Sequence, residues 1–146
     1  MTRMATNTLV GVAILAAVSF IAPEVAATPR PENARLYIIA PADGAVVQNP
    51  VTVVFGLKGM GVAPAGIEVP DTGHHHLLID LPLAEVDLGA PLPADERHRH
   101  FGGGQTQTTL ELPPGEHSLQ LLLADHQHVA HEPPLASEPI TITVTE

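Results

Sequence analysis

The 146-residue chain has no cysteine, no tryptophan, only 3% aromatic residues and six Lys plus Arg against sixteen Asp plus Glu. Each shortage removes a class of function. Without cysteine there is no disulfide, no thiolate metal site and no lipid-modified N-terminal cysteine, so hydrophobic packing alone must hold the fold. Few aromatic rings leave a sugar-stacking platform poorly supplied. The net charge of −10, with no basic cluster, argues against nucleic acid and anionic membrane surfaces as partners and is compatible with attracting cations. No nucleophile elbow, activated thiol or paired-carboxylate spacing is present, which points away from an enzyme.

The N-terminus reads as an export signal. Arg3 is the one charge in MTRMATNT, the apolar run Leu9–Ala22 follows, and Val25-Ala26-Ala27 offers small residues for cleavage after Ala27. The run is shorter than the roughly 20 residues a bilayer span needs. Residues 1–27 are therefore expected to be a cleaved signal peptide, with the product periplasmic or secreted and no membrane insertion after cleavage. Residues 28–33 (TPRPEN) read as a tether, and 34–146 as one domain. Cleavage loses one charge of each sign, so the balance stays acidic.

Alternation dominates what remains. Val51, Val53, Phe55 and Leu57 share one parity; Leu119, Leu121 and Leu123 share another; Ile140, Ile142 and Val144 alternate with threonines. Period two over such lengths means half-buried strands. Strands are expected at about 36–40, 51–58, 74–80, 105–112, 116–124 and 138–145, with a seventh short one near 66–69. Fifteen prolines and twelve glycines disfavour long helices, although the proline-broken connection 81–99 could hold a short helical turn. The expected fold is all-β: an immunoglobulin-like antiparallel β-sandwich of about seven strands.

All nine histidines lie between His74 and His131, and six form three His-x-His pairs: His74 with His76, His98 with His100, and His126 with His128. In an extended strand, residues two apart project from one face about 6.6 Å apart, and two such imidazoles can converge on one ion at about 2.0–2.1 Å. If Leu77 and Ile79 face the core, His75 shares their side and His74, His76 and Leu78 share the other. His100 precedes Gly102-Gly103-Gly104, where the chain can reverse closely; His98 reads as a more exposed loop residue. The cluster Asp125-His126-Gln127-His128-Val129-Ala130-His131 follows a strong apolar strand, with Asp125 able to orient an imidazole. His117 reads as a surface or packing residue. The expected metal ligands are therefore His74, His76, His100, His126, His128 and His131. Nitrogen-rich donors without thiolate suit copper first and zinc second. Met60, the one methionine beyond the signal peptide, reads as a packing residue.

The segments GHHHLLID (73–80), HFGGGQTQTTLELPPGEHSLQLLLAD (100–125) and HVAHEPPLASEPITITV (128–144) resemble an uncharacterised family of exported bacterial domains of unknown function. The resemblance covers about residues 34–146 and implies that His74, His75, His76, His100, His128 and His131 belong to the family's pattern, without implying an activity. The sandwich and paired histidines are also loosely similar to bacterial copper-zinc superoxide dismutase, from which the chain departs in lacking the disulfide cysteines. The expected function is a periplasmic metal-binding protein for storage, delivery or tolerance. The alternatives are a metal-free envelope module that binds another envelope protein, and a copper redox enzyme.

Overall fold

The structure is a computed structural model that describes residues 26–146. The expected signal peptide falls almost wholly on residues 1–25, outside the described residues. The strands are β1 (Arg35–Ala40), β2 (Val46–Gln48), β3 (Val51–Lys58), β4 (Gly61–Val62), β5 (Thr72–Ile79), β6 (His98–His100), β7 (Gln107–Leu110), β8 (Gly115–Ala124) and β9 (Ile140–Thr145), with one 3-10 turn at Leu83–Glu85. They form a three-stranded sheet, β1-β3-β7, and a six-stranded sheet, β2-β9-β8-β5-β4, in which β6 also pairs with β5. The protein is an all-β sandwich. Among the described residues no helix is long and apolar enough to cross a membrane.

Alternation places the core. Val51, Val53 and Phe55 of β3 meet Leu77 and Ile79 of β5, Leu119, Leu121 and Leu123 of β8, and Ile142 and Val144 of β9 between the two sheets. The opposite face of β5 and β8 is covered as well: Leu92 and Ala130 close over Leu122 and Ala124, with Leu83, Val86, Leu88 and Ala136 at the margin. Two connections, 81–97 and 125–137, supply that cover. Ala130 and Ala136 bridge back onto Ala124 and Leu122. Every residue of β5 from Gly73 to Ile79 is consequently buried.

Three further differences have local causes. The described residues form nine strands rather than about seven, because the short β2, β4 and β6 carry too little periodicity to register in the sequence. No strand forms at 66–69: Pro64, Gly66 (φ 80°) and Pro70 break the run, and the segment is the return loop that lets β4 pair parallel with β5. The sandwich is not purely antiparallel, since β2 also pairs parallel with β9. Finally, the stretch read as a tether is docked. Thr28 O accepts from Glu132 N at 3.0 Å, and Arg30 Nε donates to Pro133 O at 2.8 Å.

Leu121, fully buried between the sheets, is expected to lose about 2–5 kcal/mol on truncation to alanine. Ile39→Ala, on an exposed position, should stay within about 0.5 kcal/mol of the parent. Urea unfolding of both variants checks the assignment of inner and outer faces.

Candidate metal centre

Strand register brings the histidines together. In β5, His75 points between the sheets, packs on Phe55 with ring centroids 5.0 Å apart, and donates from Nδ1 to Gln105 O at 3.2 Å. His74 and His76 therefore take the other face. β6 runs antiparallel beside β5 with His76 opposite His100 and Leu78 opposite His98. Directly opposed residues share a face of the pleat, so two His-x-His pairs lie side by side. On the other flank, β8 sets Ala124 against His74 and Leu122 against His76. These small and aliphatic neighbours leave room for the rings and exclude water from them.

Two glycines permit the approach. A Cβ on Gly73 would stand 2.6 Å from Ala124 O and 2.9 Å from Leu123, and one on Gly102 would stand 2.6 Å from His100 Nε2. Gly102 is thus the floor on which the His100 ring rests.

A fourth imidazole arrives from beyond β8. Asp125 Oδ1 accepts from Gln127 N at 2.9 Å and Val129 N at 3.0 Å, and Asp125 O accepts from His128 N at 3.0 Å. The resulting tight loop carries His128 at φ 67°, a left-handed conformation that costs a non-glycine residue about 1 kcal/mol or more. Thr28 Oγ1 donates to Asp125 Oδ2 at 2.6 Å and braces the loop. The ring of His128 comes to lie 5.0 Å from His74 and 4.9 Å from His100, centroid to centroid.

The nitrogens converge. His74 and His76 bring their Nε2 atoms within 3.1 Å, between the separations of about 2.9 Å (square-planar) and 3.3 Å (tetrahedral) that two nitrogens about 2.05 Å from one ion would have. One nitrogen from each of His74, His76 and His100 can be chosen so that all lie within 4.8 Å of one another. His74 Nδ1, His76 Nδ1 and His100 Nε2 are buried without a hydrogen-bond partner. Unmade hydrogen bonds on buried groups cost about 1–3 kcal/mol each. A cation takes one lone pair from each imidazole, so an ion drawn to the His74 and His76 Nε2 atoms would leave both Nδ1 atoms as they are; the convergence of the three rings is what a cation fits.

Electrostatics keeps these rings neutral. Burial first, then the neighbouring rings of His100 and His128, lowers the His74 pKa to about 4. Burial and the rings of His74, His98, His100 and His128 lower that of His76 to about 2. Burial also holds His75 at about 4, against the Gln105 hydrogen bond. His100 is lowered by burial and by His128. At neutral pH these side chains therefore carry free lone pairs, the form a metal ion requires.

The family described as a domain of unknown function, DUF4399, matches residues 53–145. The chain belongs to the DUF4399 family. No curated protein and no solved structure matches it. The stretch matched to DUF4399 begins within β3 and holds all nine histidines, so the imidazole cluster is built wholly inside it.

Of the six histidines expected from sequence as ligands, His74, His76 and His100 bring nitrogens together, and the ring of His128 lies beside those of His74 and His100 but 6.5 Å from that of His76, centroid to centroid. Two do not. His126 turns away on a partly exposed loop, with Nε2 3.9 Å from Glu68 Oε2. His131 is buried elsewhere, with Nδ1 donating to Thr28 O at 3.2 Å, and burial lowers its pKa. His98, expected to be exposed, is 1% exposed and sits edge-on to His76 at 5.1 Å. Its place follows from strand β6, too short to recognise in the sequence. His117 bridges two acceptors, Asp80 Oδ2 at 2.7 Å and Pro113 O at 2.8 Å; burial lowers its pKa, but those acceptors outweigh burial and raise it. Met60 packs against the main core.

The lowered values have a consequence for folding. The unfolded chain protonates these imidazoles near 6.5, whereas the folded chain holds His74 and His75 neutral to about 4. Their contribution is intact above pH 6.5, erodes as pH falls from 6.5 to about 4, and is fully lost below that. The urea midpoint of the metal-free protein should therefore fall steeply across this window; a midpoint flat between pH 7 and 4.5 would contradict buried, neutral histidines.

Proposed function

We propose that this domain is a metal-binding protein of the bacterial cell envelope, holding one copper ion, with zinc as the second choice, on His74, His76, His100 and His128. The observation that carries this reading is the register of β5 and β6, which sets His76 opposite His100 with His74 beside them, one nitrogen of each within 4.8 Å of the others. Four imidazoles with no thiolate suit Cu(II) and Zn(II), and copper stands above zinc in affinity for such donors. The signal-like N-terminus supports export to a compartment away from cytoplasmic thiols, where storage, delivery or tolerance of metal is in demand. No nucleophile or acid–base pair accompanies the cluster in the sequence, which favours a binding role over catalysis.

The residues present would fix the ion from three directions. β5 contributes two rings and β6 one, on a sheet packed on both faces, and the Asp125 loop lowers His128 onto them. Asp125, itself 1% exposed, provides a nearby negative charge that offsets part of the cation's.

Titration of the mature protein with Cu(II), Cu(I) and Zn(II) tests the reading. His76→Ala and His128→Ala should each weaken binding tenfold or more, and Gly102→Ala should do the same by displacing His100, while His117→Ala and Gly103→Ala leave it unchanged. Wild-type affinity in both histidine variants would overturn the site.

A further inference from the structure

Asp125 is a buried carboxylate whose charge has no partner. It is 1% exposed. Its Oδ1 takes the amides of Gln127 and Val129, and its Oδ2 takes the Thr28 hydroxyl, so its hydrogen bonds are met while its charge is not. Among the described residues the ion pairs are His117 with Asp80 and His126 with Glu68, and neither includes Asp125. Arg30, two residues from Thr28, directs its guanidinium to Pro133 O and Pro31 O instead. A carboxylate out of water with no opposite charge beside it works against the fold unless a cation joins it.

The expected cut after Ala27 supplies that cation. Hydrolysis of the Ala27–Thr28 amide adds one water across the bond and leaves a carboxylate on Ala27 and an ammonium on Thr28. Within a threonine, N lies about 2.9–3.7 Å from Oγ1 in any rotamer. Thr28 Oγ1 is 2.6 Å from Asp125 Oδ2, so the new ammonium stands within about 6 Å of the carboxylate, a range at which opposite charges act strongly on one another. The residue is fixed there from its other end: Thr28 O accepts from Glu132 N and from His131 Nδ1, and Pro29 bridges to Glu132. Thr28 and Asp125 also share the wall of a cavity of about 240 Å³ with Glu68 and His126, and no lysine or arginine lines it. Ala26, just upstream, is exposed, so the chain leaves the domain at this point.

We propose that the cavity beside Asp125 is the seat of the mature N-terminus: the Thr28 α-ammonium released by cleavage pairs with the buried Asp125 carboxylate, and removal of the leader thereby completes the loop that carries His128. The inference rests on the export reading above and not on the metal. Asp125 organises residues 125–129 through its own hydrogen bonds, so a charge partner for Asp125 steadies the whole loop. The uncleaved chain has an uncharged amide at the same place and leaves the carboxylate without one.

The test uses metal-free protein in three forms: begun at Thr28, begun at Thr28 with its amine acetylated, and begun at Ala26. Acetylation and the two-residue extension should each lower the urea midpoint by about 0.5 M or more. Asp125→Asn keeps an Oδ1 acceptor for the loop amides and removes the charge; in it, acetylation should leave the midpoint unchanged. The Thr28 amine, faced by Asp125 and Glu68 with His126 across the cavity and Arg30 turned to backbone carbonyls, should titrate above the ordinary range of about 7.7–8.0, and this measurement decides the matter if Asp125→Asn folds poorly. Equal midpoints with and without acetylation, a drop that persists in Asp125→Asn, or an amine that titrates in the ordinary range would each overturn the pairing. N-terminal sequencing of the exported protein should begin at Thr28; any other first residue would overturn it as well. Failure of the metal reading looks different: these shifts appear, yet the protein binds neither Cu(II) nor Zn(II).

Discussion

The antiparallel pairing of β5 with β6, His76 opposite His100, is the constraint on which the rest of the candidate centre depends. A slip of one residue in that register would turn His98 and His100 to the other face of the pleat and separate the two His-x-His pairs. Gly73 and Gly102 protect the arrangement from both ends, since any Cβ there collides with β8 or with the His100 ring. The pairing lies on the edge of β5 away from β8, so the histidines sit on a strand held in the middle of a sheet.

Burying that face sets a conflict. The six-stranded sheet must cover both sides to stay dry, and the connections 81–97 and 125–137 cover the second side with aliphatic residues. Within the same layer lie imidazoles whose nitrogens lack partners. At about 1–3 kcal/mol per buried unpaired group, a handful of them rivals the whole stability of a small domain, about 5–15 kcal/mol. The left-handed backbone of His128 adds strain at the same place. Residues that work against stability, gathered at one point and supported by packing elsewhere, mark a site kept for function rather than for folding. The same burial lowers the pKa values that keep the rings ready for a cation.

Much of the fold was legible because its signals are local. The strands at 51–58, 116–124 and 138–145 announce themselves through period two, and the structure places them within a few residues of expectation. The statement that His75 shares a face with Leu77 and Ile79 while His74 and His76 share the other follows from the pleat alone, and the structure agrees. Short strands were not legible: β6 spans three residues in a polar, proline-broken stretch, and its pairing comes from β5 rather than from its own composition. That is why His98 looked like a loop residue and is in fact buried. His126 and His131 share the spacing of their neighbours but not their fate, because the Asp125 loop turns His128 inward and its flanking histidines elsewhere.

By itself the sequence determined an acidic, cysteine-free, all-β domain whose histidines fall into pairs with a common face, since charge, composition and the two-residue repeat of a strand are properties of the chain alone. Only the tertiary structure decided which pairs meet. Convergence depends on strand order, on register across β5 and β6, and on a loop held by one carboxylate. Those are contacts between segments distant in the chain, and no local pattern encodes them.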